Sequence, residues 1–422
     1  MKKIAFILLI FFVLTSCISK KSAISKAINT TLASSFYKNQ FTGILVIDAK
    51  TKDTIYNKDS HKYFIPASNT KIFTLFAALK TLPKKAPAIR YIIRNDTLYF
   101  EGTGDPSFLH PHLKDSTSFH FLNNQKNLAY ISGNFQDKKY GPGWAWDDYQ
   151  WYYSPERNAL PINGNVVLSY KKTELVVSPP YFKDSVIEVL HKDNRNEFSN
   201  IFYYPPQSND TLETPFITSL KTTTSILEQA LGKKVSTTAT MPLGNKETLY
   251  GIEMDTLYKR MMHESDNFIA EQLLFMAASE LKDTLNSNLI RTHILENELQ
   301  DLAQQPRWVD GSGLSRYNLF TPQSIVNVLD KLYVMVPQER LFTIFPVGGI
   351  SGTLKNRFVG VEQPYIYAKS GSLSNNYCLS GYLLTKSGET LIFSFMNNHF
   401  RESLTDERLR LEQMLQTLRD NY

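Results

Sequence analysis

Ser68 and Lys71 stand three positions apart in Pro66-Ala67-Ser68-Asn69-Thr70-Lys71, and an apolar-rich run from Ile72 to Leu79 follows. Proline and small residues suit a strand-to-helix entry, and the run beyond them suits a buried helix. Helical positions i and i+3 share a face, so the Lys71 amine is expected beside the Ser68 hydroxyl. A serine hydroxyl is a weak nucleophile until a neighbouring base takes its proton. A lysine can be that base when burial or a nearby cation lowers its pKa toward neutrality. Ser-x-x-Lys alone is common on helices, so the chemistry depends on what else the chain supplies.

Two further groups follow in order. The helical stretch after Met254 contains Ser265-Asp266-Asn267, and Lys369-Ser370-Gly371-Ser372 ends an apolar strand. Ser-x-x-Lys, Ser-Asp-Asn and Lys-Thr-Gly in that order are the motif set of penicillin-binding proteins and class A β-lactamases. Attack on an amide needs a nucleophile with its base, here Ser68 and Lys71, and a proton route to the leaving amine through Ser265. Asn267 has both donor and acceptor for a substrate backbone. Lys369 supplies positive charge for a substrate carboxylate, and its repulsion is expected to help keep Lys71 neutral. Ser370 and Ser372, flanking Gly371, offer hydroxyls to that carboxylate. The backbone N–H groups of Ser68 and Ser372 would meet the oxyanion.

The separation of Ser68 from Ser265 is far longer than a compact β-lactamase would place there. The chain therefore resembles the D-alanyl-D-alanine carboxypeptidase/endopeptidase family, the low-molecular-mass class C penicillin-binding proteins, in which extra domains interrupt the catalytic domain between these motifs. Gly102–Ser107, Gly141–Asp148, Tyr153–Pro155, Asp310–Ser315 and Gly352–Leu354 fit the same family. Ser370 stands where the family usually has threonine, which keeps the hydroxyl. The resemblance implies a penicillin-binding, serine β-lactamase-like transpeptidase domain of α/β (α+β) class. It implies cleavage of D-Ala-D-Ala or D-Ala–diamino acid bonds in peptidoglycan through an acyl-serine, inhibition by β-lactams, and no metal or organic cofactor. It also puts Asp148 where an acidic residue meets the free amine of the stem peptide's diamino acid, a turn residue being the alternative. A β-lactamase or esterase on the same fold, and a penicillin-binding sensor without turnover, are the rival readings.

The N-terminus sets the compartment. Met1-Lys2-Lys3 and the apolar stretch from Ile4 to Leu14 read as a signal peptide, too short to span a membrane as a folded helix. Leu14-Thr15-Ser16-Cys17 resembles the lipobox of bacterial lipoproteins, which implies cleavage before Cys17 and acyl chains on it. The expected product is a lipid-anchored protein facing the periplasm. Cys378 is the one other cysteine, so no disulfide framework exists, and its apolar neighbours mark a buried thiol. The net charge of +6 comes from scattered basic residues, which argues against nucleic acid as a partner.

The expected division is a signal peptide over 1–16, a tether over 17–23, a catalytic domain from 24–83 and 246–422, and a mostly β insertion over 84–245, with two possible subdomains. In the catalytic part, residues 24–40 read as helix, 42–56 as a hairpin, and 254–281, 285–302 and 322–335 as helices. Three strands follow over 365–370, 379–385 and 390–396, then a helix over 404–418. The insertion shows short strands over 89–94, 97–101, 128–132, 165–170, 174–177, 186–190 and 200–204, with a helical period near 222–231. Trp144, Trp146, Trp151, Tyr152 and Tyr153 read as packing for the insertion in preference to a sugar-stacking platform. His110, His112 and His120 lack a Cys or Glu at ligand spacing, so a surface loop is expected in place of a metal site. Ser312, between two glycines, reads as a turn residue that shapes the cleft.

Overall fold

A computed structural model describes residues 21–360 and 363–422, so the signal segment and Cys17 lie outside the described residues. At its centre is an antiparallel five-stranded sheet. Its order is Ile366–Leu373, Asn376–Leu384, Thr390–Asn398, Phe41–Asp48, Thr54–Lys58, so the chain's two ends meet where Phe41–Asp48 pairs with Thr390–Asn398. The strands alternate their apolar residues between two faces. Cys378, Tyr382, Ile392 and Met396 join the core beneath the Ser68 helix, Thr70–Thr81. Leu379, Leu383, Leu391 and Phe393 face a second core with Ile24 and Ile28, from the helix over 21–32, and Leu411 and Leu415, from Leu404–Asn421. The central sheet is thus covered on both sides, and Cys378 is fully buried, its thiol held in the neutral form by desolvation.

The pattern after Met254 is two helices. Met254–His263 ends, Glu264 and Ser265 intervene, and Asn267–Lys282 begins. Asp266 caps the second helix by accepting the N–H of Ile269 at 3.0 Å, and Ser265 takes a φ of 57° that breaks the run. That break turns a serine and an asparagine into the cleft. Asn267–Lys282 is buried over most of its length and packs against Thr70–Thr81.

Between these parts the chain builds three further sheets. A five-stranded one has the order Val235–Thr238, Asn127–Ile131, Thr97–Gly102, Lys85–Arg94, Glu247–Glu253. A three-stranded sheet (Leu212–Pro215, Val166–Lys171, Leu175–Ser178) and a parallel pair (Val186–Glu188, Phe202–Tyr204) complete it. Its core, which includes Ile89, Phe100, Leu128, Phe182 and Phe216, is separate from the two beside the central sheet.

Candidate active site

Ser68 sits in a single 3-10 turn, Ala67–Asn69, that leads directly into Thr70–Thr81. Three contacts fix this turn. Asn69 Nδ2 donates to the carbonyl of Lys369 at 2.9 Å, and Thr70 Oγ1 to that of Ala67 at 2.9 Å. Gly371 lies so close that a Cβ there would stand 2.8 Å from the Ser68 nitrogen. Ala67 takes a φ of 48°, a strained value for a residue with a Cβ that the surrounding contacts must hold.

The Lys71 amine lies 3.0 Å from Ser68 Oγ, as the three-residue spacing requires. It also donates to Asn267 Oδ1 at 2.7 Å and to the Ser312 carbonyl at 2.7 Å. Lys71 is fully buried, and desolvation lowers its pKa to about 8 against the pull of Asp310, Asp266 and Glu271. Burial, one of the two causes the sequence offered, is therefore the main one. The repulsion between the two lysines is felt at Lys369, which burial, and then Lys71, push well below the usual lysine range.

Lys369 donates to Ser265 Oγ at 2.9 Å, which ties the strand motif to the helix break. It also meets the Ser370 carbonyl at 2.6 Å. The Ser370 hydroxyl is paired with Thr353 Oγ1 at 2.7 Å. Thr353 belongs to the turn Gly352–Leu354, in which Gly352 packs on the His263 backbone, with room for no side chain. Asn267 Nδ2 donates to the Tyr153 carbonyl, 3.0 Å away. Ser68, Ser265, Asn267 and Ser372 line a cleft of about 600 Å³ together with Tyr152, Tyr153 and Leu314.

Two carboxylates to which the sequence reading gave no role hold this arrangement from behind. Glu271 Oε1 accepts the N–H groups of Gly311 and Ser312 at 2.9 and 2.8 Å. Asp310 accepts from Gly313 and Ser315 N–H at 2.9 and 2.7 Å and from Trp144 Nε1 at 2.9 Å. Together they fold the 310–315 loop so that the Ser312 carbonyl reaches Lys71. The Asp310 motif carried a signal, but Glu271 looks like any helix residue until its burial is known.

Asp148 is not among the residues lining the cleft. It is half-buried one layer back, where Tyr153 Oη donates to Oδ1 at 2.8 Å, and desolvation raises its pKa. His110 and His112 line the far wall of the cleft, and His112 Nε2 is 2.6 Å from Glu213 Oε1, so the surface loop expected there is a cleft wall. Desolvation lowers the His110 pKa to about 4. Among the described residues no three His, Cys, Asp or Glu side chains are placed to hold a metal.

A buried lysine on a serine with an asparagine against it, and a second lysine joined to a second serine, are the arrangement expected of a serine hydrolase of the penicillin-binding fold. The model of the D-Ala-D-Ala carboxypeptidase 3 (S13) family matches residues 24–190 and 227–420, and the chain belongs to that family. It is thus a serine D-Ala-D-Ala carboxypeptidase, a hydrolase acting on peptidoglycan. A D-alanyl-D-alanine carboxypeptidase from Actinomadura is 25% identical over 422 residues, which are 85% of this chain and 77% of that one. The D-alanyl-D-alanine carboxypeptidase DacB of Haemophilus influenzae is 32% identical over 163 residues, but that match spans only 36% of this chain and 34% of the relative. Penicillin binding protein 4 of the same organism shares the fold, with a TM-score of 0.72 at 21% identity over 93% of this chain and 98% of that one. It has also been solved with a β-lactam bound.

Proposed function

We propose that Ser68 is the nucleophile and Lys71 its base in cleavage of D-Ala-D-Ala ends and D-Ala–diamino acid cross-links of peptidoglycan. The observation that carries this reading is the buried Lys71 amine, 3.0 Å from Ser68 Oγ with a pKa near 8. At neutral pH a useful fraction of that amine is unprotonated and aimed at the hydroxyl. Lys71 takes the Ser68 proton as Oγ bonds to the D-Ala carbonyl carbon. The oxyanion is met by the N–H groups of Ser68 and Ser372. The C–N bond then breaks, and the leaving amine receives a proton through Ser265, which Lys369 holds. The substrate carboxylate rests against Lys369 and the hydroxyls of Ser370 and Ser372, with Gly371 leaving room beside the nucleophile. Asn267 pairs with the substrate backbone in place of the Tyr153 carbonyl. Water releases the acyl group and restores Ser68.

The catalytic unit is assigned to 24–83 and the segment after the insertion. Because Glu247–Glu253 pairs with Lys85–Arg94, the insertion is extended to that strand. β-Lactams, which mimic the D-Ala-D-Ala end, are expected to acylate Ser68. The enzyme is assigned to the outside of the cytoplasm, tethered by lipid on Cys17. An unacylated N-terminus by mass spectrometry of the native protein would remove the tether.

Two measurements test the reaction. Fluorescent penicillin should label wild type and leave Ser68→Ala unlabelled, and steady release of D-Ala should follow from a pentapeptide. An adduct mapped to Ser265 or Ser312 would overturn the assignment. Labelling without D-Ala release would identify a sensor, and rapid nitrocefin turnover a β-lactamase.

A further inference from the structure

The segment over 141–153 is fastened at several points, both to the insertion and to the residues around Lys71. Trp144 is bonded to Asp310, and Tyr149 lies against the Arg195 guanidinium, 4.9 Å from its ring centre. Gln150 Oε1 accepts the Asn194 N–H at 2.7 Å, and the Tyr153 hydroxyl and carbonyl are bonded to Asp148 and Asn267. These contacts fix the 3-10 helix Trp146–Gln150. Three aromatics of the same stretch take no part in this anchoring. Trp146 is 75% exposed, Tyr152 64% and Trp151 44%. The sequence reading of all five aromatics as packing fits Trp144 and Tyr153 and fails for these three. Large rings left in water on a rigid backbone mark an interaction site, because the same apolar area would otherwise be buried. Tyr152 lines the Ser68 cleft, and Trp151 is its neighbour in the chain.

We propose that Trp146, Trp151 and Tyr152 are a stacking platform for the sugar rings of the glycan strand that bears the stem peptide. This deepens the reading given above, on which the substrate is peptidoglycan. Three features select sugar. A stem peptide with its D-Ala on Ser68 and its diamino acid near Asp148 has only two more residues, about 7 Å of extended chain, before its glycan. Trp146 lies two positions from Asp148, inside that reach. Trp146 opens the 3-10 helix and Trp151 stands in extended backbone just past its end, so the two are about 11 Å apart along the segment, a span that two pyranose rings cover. Between them Asp147 is exposed, and its carboxylate has no hydrogen-bond partner among the described residues. A ring face for sugar C–H groups beside an acceptor for hydroxyls suits a carbohydrate, whereas a carboxylate there disfavours an anionic lipid surface.

The test compares one peptide with and without its sugars. Wild type, Trp146→Ala/Trp151→Ala and the corresponding double Phe variant are assayed on free pentapeptide and on disaccharide-pentapeptide, with fluorescent penicillin acylation as a third measurement. The double Ala variant should lose about tenfold in kcat/KM on the disaccharide substrate alone. The Phe variant should recover much of that loss, and denuded glycan strands should inhibit wild type but not the Ala variant. Equal rates on both substrates in wild type and variant would overturn the platform while leaving the peptidase reading intact. Failure of wild type to cleave either substrate would overturn the peptidase reading itself. Loss of binding to anionic vesicles, with no change on the disaccharide substrate, would assign the rings to a membrane.

Discussion

At the scale of single residues, the proposed reaction turns on one amine. Lys71 bonds to Ser68, Asn267 and Ser312, so the proposed nucleophile, the asparagine proposed to hold the substrate and the loop carbonyl share one hub. Below pH 8 the folded protein holds a buried cation, and the cost of that cation is relieved as pH rises from about 8 toward the ordinary 10.5. With Lys71 as the proposed base the neutral form is the active one, so penicillin acylation should rise with pH through a midpoint near 8. A profile flat from pH 6 to 9.5 would remove Lys71 as the base. Lys71→Ala should slow acylation by about 10²–10⁴-fold, and adding it to Ser68→Ala should change nothing, because the two act as a unit. Asp148 is a different kind of residue. It stands behind Tyr153, out of the cleft wall, and so reaches a substrate amine only if that amine extends past Tyr153. Asp148→Ala should slow cleavage of diamino acid peptides more than acylation by penicillin, which has no such side chain. Equal losses in the two assays would make Asp148 a support for Tyr153.

At the scale of elements, close backbone approach does the positioning. Gly313 has a φ of 83°, and a Cβ there would stand 1.8 Å from the Ala67 carbonyl oxygen, one residue before the nucleophile. Gly313→Ala should therefore push the 310–315 loop off the Ser68 turn and pull the Ser312 carbonyl from Lys71. The expected result is a loss of about 2–4 kcal/mol of stability and most of the acylation rate. Gly232, which ends the helix Leu220–Leu231, separates the two causes. It has a φ of 64° but open space around it, so Gly232→Ala should cost only about 1–2 kcal/mol and leave acylation unchanged. Similar acylation in both variants would show that crowding at Ala67 is not what matters.

The same scale explains what the sequence made legible. The three motifs stood out because their residue types and spacing are dictated by chemistry. The central strands and the helix Pro322–Met335 stood out because their apolar periods are unbroken. The stretch 254–281 reads as one helix because its apolar period continues on both sides of Ser265, and the break is a matter of one positive φ and one cap. Val235–Thr238 and Leu212–Pro215 were not legible, being short segments stabilised by partners far away in sequence. Glu271 was hidden for a related reason, since its role depends on backbone N–H groups some forty positions later.

At the scale of the whole molecule, the insertion is joined to the catalytic helix by polar contacts that run through the core. Gln272 Nε2 donates to the carbonyls of Gly104 and Asn158 at 2.7 and 3.0 Å. Arg157 Nη1 meets Glu271 Oε2 at 2.9 Å, both side chains being buried, and Arg157 Nη2 donates to the Lys138 carbonyl at 2.8 Å. The line from the insertion to the base is therefore short: Arg157 neutralises Glu271, Glu271 holds the N–H groups of Gly311 and Ser312, and the Ser312 carbonyl holds Lys71. Arg157→Ala would leave a carboxylate unpaired in a dry interior, where breaking such a pair costs about 3–5 kcal/mol. The variant should melt at a markedly lower temperature, and its remaining folded fraction should be slower in penicillin acylation and in D-Ala release by the same factor, because both reactions use Lys71. This common loss distinguishes Arg157 from Asp148 and from the exposed tryptophans, whose effects should depend on the substrate. If Arg157→Ala melts like wild type, or slows peptide cleavage while acylation stays intact, the insertion does not act on the catalytic base through Glu271, and its role is confined to shaping the cleft wall.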